Sequence, residues 1–114
     1  MAISWADALE KAITSHIELP HEEACKVCPL CSRAETTSRG CEACPCDGDT
    51  AAYIYTGTAE GPIFCMRWGR AIADKNRTAI KRARQLAAFV RANPMTWQHM
   101  DPADLAREVK KVKL

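Results

Sequence analysis

Six of the seven cysteines lie between Cys25 and Cys46, in the one stretch of the chain that has no hydrophobic periodicity. From His21 to Asp49, Cys, Pro, Gly, Ser, Thr and Asp dominate, and too few apolar side chains remain to order the backbone by burial. A segment of this kind has to be tied down by its thiols. The chain as a whole makes the same demand: it has 114 residues, only 6% of them aromatic, and Ala supplies much of the apolar count. One domain with a modest core, supplemented by a metal or covalent staple, is the expectation. No run approaches the roughly 18 to 20 apolar residues that a bilayer crossing needs, so no membrane partner is expected.

Asp7 and Glu10 stand where a secretory leader would be apolar, and no basic segment precedes them. This predicts a protein that stays in the cytoplasm. Reducing conditions there disfavour disulfides, and an odd cysteine count cannot pair completely, so metal ligation is the leading use of the thiols. A disulfide framework in an exported protein is the alternative.

Cys28-Pro29-Leu30-Cys31 is the most specific element, because a Cys-x₂-Cys turn brings two thiolates to one metal and the proline restricts that turn in advance. Cys41-Glu42-Ala43-Cys44 is the natural second pair, and together they give a Cys₄ tetrahedral zinc site with a nine-residue spacer. Cys25, Cys46 and Cys65 are also available, as are His16 and His21. Cys65 could replace Cys41, and two zinc ions could share bridging thiolates. Cys25-x₂-Cys28-x₂-Cys31 followed by Cys44-Pro45 partly echoes an iron–sulfur ligand run, which makes an iron–sulfur cluster the alternative cofactor. Any single extra cysteine, Cys25 and Cys65 above all, can equally be a small buried apolar residue.

No catalytic residues are expected. His16 lies on the apolar side of the first helix and reads as a buried, hydrogen-bonded histidine; His21 reads as solvated; His99 has no recognisable partner. The donor set is mostly thiolate, whereas a catalytic zinc keeps an open position and usually takes His or carboxylate ligands.

The flanking segments are helical by pattern, which makes the expected fold class mainly α. Residues 1–20 carry Trp5, Leu9, Ile13 and Ile17 at helical spacing, with Ser4 as cap, Asp7 at the capping-box position and Pro20 as the stop. Within the Cys-rich region 21–68, Ala51 to Thr56 is a β-prone run that suggests a short strand or hairpin. Residues 69–93 read as one basic helix with an apolar face of Ala79, Ile80, Ala83, Leu86, Ala87 and Val90, ended by Asn93-Pro94. Residues 101–113 read as a C-terminal helix, with Asp101 as cap, Pro102 at its first position, Leu105, Val109 and Val112 inward, and Lys110, Lys111 and Lys113 at the negative end of its dipole.

The net charge of +2 hides a strong asymmetry. Residues 1–60 hold four Lys/Arg against ten Asp/Glu, and residues 61–114 hold twelve against four. Arg70, Arg77, Lys81, Arg84 and Arg91 fall in one angular stripe opposite the apolar face, and only Asp74 supplies an acid between residues 61 and 100. Such a stripe suits phosphates or an acidic protein surface. It also suits the solvated face of an ordinary helix, although a face kept merely soluble more often mixes the two signs.

The pattern resembles a loose group of small cysteine-rich phage and prophage proteins of unassigned function. The matching residues are Trp5, Cys28-Pro29-Leu30-Cys31, Cys41-Glu42-Ala43-Cys44-Pro45, Cys65 with Trp68, and the Ala-rich helix from Ala79 to Phe89. The chain departs from that pattern in the added Cys25 and Cys46. The resemblance implies a viral origin, hence a host-cell cytoplasmic location, and a ligand role for Cys65. The expected function is a zinc-stabilised regulator that binds nucleic acid through the basic helix. The alternatives are an inhibitor or adaptor directed at an acidic host protein, and an iron–sulfur redox protein.

Overall fold

The computed structural model describes residues 3–35, 37, 44–45, 53–54 and 65–114, without the side chains of His21, Cys25, Glu35, Cys65, Met66 and Arg67. It is mainly helical, and its radius of gyration of 12.7 Å matches the roughly 13 Å of a compact chain of this length.

The first helix, α1, spans Trp5–Glu18. Its cap forms as expected, with Ser4 Oγ accepting from the Asp7 backbone N–H at 3.1 Å, and it ends at Leu19 before Pro20. Its buried surface is wider than the expected stripe: Trp5, Ala6, Ala8, Leu9, Ala12, Ile13 and His16 are all covered. The reason is position. α1 packs against most of the helices described below, and its three small alanines let those neighbours come close.

The stretch after Pro20, expected to be irregular, contains two short helices, α2 at His21–Lys26 and α3 at Pro29–Glu35. The signals were local ones. Pro20 precedes α2 and its carbonyl accepts from the Ala24 N–H at 3.0 Å; Glu22 and Glu23 lie in the first turn and Lys26 in the last, as the dipole favours. Pro29 occupies the first position of α3, where its missing N–H costs nothing. The residues buried here, Ala24, Cys28, Leu30 and Ala34, are mostly too small to register as an apolar face. Tyr53 and Ile54 are the described residues of the run expected as a strand, and both are helical; Ile54 is buried in the core. Packing has overridden a β preference that always depended on context. The rest of that run lies outside the described residues, among which there is no strand.

The expected basic helix is two helices, α4 at Cys65–Ala73 and α5 at Arg77–Ala92. At the break, the Lys75 N–H donates to the Ile72 carbonyl and the Asn76 N–H to the Ala71 carbonyl, both at 3.0 Å, and Lys75 takes a left-handed φ of 61°. This is the Schellman closure that usually employs glycine. Lys75 offsets its cost by donating from Nζ to the Ile17 carbonyl at the end of α1, at 2.5 Å. Asn76 then starts α5 by accepting from the Ala79 N–H through Oδ1 at 3.0 Å. On α5 the expected apolar face is covered, with Ala79, Ala83, Leu86, Ala87 and Val90 buried.

A 3₁₀ turn at Trp97–His99 sets Trp97 edge-on to Trp5, ring centres 6.1 Å apart. The last helix, α6 at Pro102–Lys110, is capped by Asp101, whose Oδ2 accepts from the Ala103 N–H at 3.1 Å. Leu105 and Val109 are buried against α5, while Val112 is half-buried.

Candidate functional site

The Cys-Pro-Leu-Cys element is the entrance to α3. The Cys28 carbonyl accepts from the Cys31 N–H at 3.1 Å and from the Ser32 N–H at 3.4 Å, so the knuckle is the first turn of a helix. The two residues differ in environment: Cys28 is buried at 7% exposure, and Cys31 is exposed. Cys44 is buried to the same degree as Cys28, and Pro45 beside it is fully buried. Cys41 and Cys46 lie outside the described residues. Cys25 is placed by its backbone on α2 and Cys65 on the first residue of α4. Among the described residues no three His, Cys, Asp or Glu side chains form a metal-binding group.

His16 is buried, as expected, at 2% exposure. Its ring stands edge-on to Trp68 with centres 5.2 Å apart. It also lies close against α4 at Gly69, where an added Cβ would sit 2.6 Å from Cε1. Glycine at position 69 is therefore what lets the imidazole enter the α1–α4 interface.

The basic stripe is divided. Arg77, Lys81 and Arg84 are exposed on the outer face of α5 and form no ion pair among the described residues; Arg70 is exposed but belongs to α4, beyond the break. Arg91 is committed elsewhere. Its Nη2 donates to Asp7 Oδ1 at 2.6 Å and to Glu10 Oε2 at 2.8 Å, tying α5 to α1. That hydrogen bond holds the Asp7 carboxyl below its ordinary range and pushes the Arg91 guanidinium further up. The remaining ion pairs, Lys26–Glu23, Arg107–Asp104 and Lys111–Glu108, join residues three apart on single helices.

Beside Arg84 a groove of about 400 Å³ opens between α1 and α5, lined by Glu10, Ile13, Thr14, Ala87, Ala88 and the C-terminal Leu114. It has an apolar floor with a cation on one wall and a carboxylate on the other.

Gln85 was not singled out by sequence. It is 2% exposed, donates from Nε2 to the Val112 carbonyl at 3.0 Å and to the Lys110 carbonyl at 3.4 Å, and accepts from Arg82 Nη1 at 2.7 Å. It thereby satisfies carbonyls at the end of α6 that no helical partner reaches. A glutamine on the edge of an apolar face was the one available signal. Comparison with protein families, with curated proteins and with solved structures finds no match to this chain.

Proposed function

We propose that this protein is a zinc-stabilised binding module that presents the outer face of α5 to nucleic acid. The observation that carries the reading is the set Arg77, Lys81 and Arg84: three exposed cations on one helix face without an ion pair among the described residues, while Arg91, Arg107 and Lys111 are all paired. Seven residues of helix spread these charges over about 10 Å of axis. A DNA duplex offers about six phosphate charges over that length, enough for each cation to find one. The cysteines provide the staple, as thiolates on zinc, and the binding energy of a structural site is folding energy. An iron–sulfur cluster on the same thiols is separated from zinc by metal analysis and by colour.

The test is fluorescence anisotropy with labelled duplex DNA and RNA across a salt series. Three phosphate contacts give log K falling with log [salt] at a slope of about −2.7. Reversal of all three charges, R77E/K81E/R84E, abolishes binding. Absence of binding at low salt, or binding that survives the triple reversal, removes the reading.

One observation favours a protein partner as the second reading. The groove lined by Thr14, Ala88 and Leu114 lies directly beside Arg84, and the Glu10 carboxylate across it is already engaged by Arg91. Concave part-apolar surface beside a cation with no ion pair among the described residues suits an acidic protein face and is of no use to a phosphate backbone. Retention of one host protein after nuclease treatment, lost in the triple reversal, supports the adaptor or inhibitor role.

A further inference from the structure

Three of the helices share a junction on one side of α1. α1, α2 and α4 pack against one another pairwise, and the buried imidazole lies on the α1 side of that junction, against Gly69 and Trp68 of α4. On α2 and the residue pair that follows it, Glu22, Glu23, Lys26 and Val27 are exposed and Ala24 and Cys28 are buried. Within α2, at 100° per residue, Glu22, Glu23 and Lys26 share one arc, and positions 24 and 25 fall on the other side of the helix. On α4, Trp68, Gly69 and Ile72 form the buried stripe and Arg70 is exposed. Position 65 precedes Trp68 by three and Gly69 by four, and so heads the stripe that His16 lies against. Backbone register thereby puts position 25 on the buried side of α2 and position 65 at the head of the stripe that His16 lies against, with the buried Cys28 two residues beyond α2.

From this placement we infer that the metal of this protein is held by a Cys₃His centre of His16, Cys25, Cys28 and Cys65. The donors suit zinc: Cys25-Lys-Val-Cys28 has the Cys-x₂-Cys spacing, three thiolates and one neutral imidazole complete a tetrahedral set, and Trp68 and Ile72 provide an apolar surround. The close approach at Gly69 then has a purpose, since it admits the one nitrogen ligand. Cys31 is a poor fourth ligand by comparison, because it is exposed on α3 while structural zinc ligands are covered. The centre would join the Cys-rich segment to α1 and α4, so the staple closes across the core instead of within a loop. This inference rests on the zinc reading above and specifies its ligands.

The experiment is zinc-edge X-ray absorption on the full chain purified under reducing conditions, together with zinc affinity by competition with a chromophoric chelator. The expected first shell is one nitrogen at about 2.0 Å and three sulfurs at about 2.3 Å. Cys65→Ser and His16→Ala lower zinc affinity more than about 100-fold, beyond the roughly 10–100-fold that loss of an outer-shell partner costs, and Cys31→Ser and Cys41→Ser leave it unchanged. His16→Cys supplies a check that does not require loss of a ligand: it keeps four donors and turns the shell to sulfur alone. A four-sulfur shell in the natural chain, or full affinity in His16→Ala, overturns this centre and leaves the zinc reading standing. Folded protein that takes up no zinc overturns both.

Discussion

Replacing Gly69 with alanine tests the packing at the α1–α4 interface directly. In the middle of a helix, Gly→Ala on its own stabilises by about 0.8–1.0 kcal/mol. Here the new methyl carbon would meet His16 at 2.6 Å from Cε1, 2.9 Å from Nδ1 and 3.3 Å from Nε2. The first two distances are well inside ordinary contact. The imidazole has little room to retreat, because it is 2% exposed and held edge-on by Trp68. Overpacking of this kind costs about 1–3 kcal/mol, and the close approach to two ring atoms puts it in the upper part of that range. The net expectation is a loss of about 1–2 kcal/mol. At the typical unfolding entropy per residue, a chain of 114 residues loses about 4 °C in Tm per kcal/mol, so Gly69→Ala lowers Tm by about 4–8 °C. In a His16→Ala background the clash is absent, and the same change recovers the helix gain of about 1 kcal/mol. Urea melts of the four proteins of this double-mutant cycle measure both steps. A Gly69→Ala variant more stable than the parent, or an equal effect in both backgrounds, refutes the argument.

Gln85→Ala removes a buried amide and leaves the Val112 and Lys110 carbonyls without their side-chain donor; the expected cost is about 2 kcal/mol in urea melts, and a loss below about 0.5 kcal/mol would show that the clamp is redundant. Asp7 titrates below its ordinary range because Arg91 hydrogen-bonds its charged form, so the tie between α1 and α5 contributes fully above the pH of a free carboxylate and is lost as acid protonates Asp7. The Tm gap between the natural chain and Arg91→Met should therefore be constant near neutrality and close on acidification; a gap that widens in acid would contradict the sign. If zinc orders the helices beneath α5 and that face binds nucleic acid as proposed, stripping the metal weakens the binding with little change in its salt slope, because the slope counts charges on α5. A slope that collapses to zero in still-folded apo protein would place phosphate contacts outside α5.

The long helices were legible because their signals are local and redundant. Ser4, Asp101 and Pro102 behave as their positions imply, and the apolar positions of α1 and α5 are buried almost one for one. What the pattern concealed follows from two physical causes. Ala24, Cys28 and Ala34 bury too little surface each to show a periodicity, so α2 and α3 were invisible although Pro20 and Pro29 mark their starts. The break at Asp74-Lys75-Asn76 was hidden because a lysine fills a left-handed position where glycine would have announced a helix end, and its tether to Ile17 exists only in three dimensions.

The charge pattern was legible in total and not in disposition. An acidic front and a basic back imply attraction between the halves, and the fold realises it at one place among the described residues, where Arg91 bridges Asp7 and Glu10. That bridge takes one end of the stripe out of service, and the helix break moves Arg70 off its other end. The surviving patch is smaller than the sequence implied and sharper, because Arg77, Lys81 and Arg84 project from a helix whose opposite face is locked into the core. α1 links this patch to the proposed metal junction through separate faces: His16 meets α4, while Asp7 and Glu10 meet Arg91 of α5. A metal at the proposed junction would thus stiffen the helices beneath the cationic face without any of its ligands touching that face, and would give a small core with few aromatics order under the proposed binding surface.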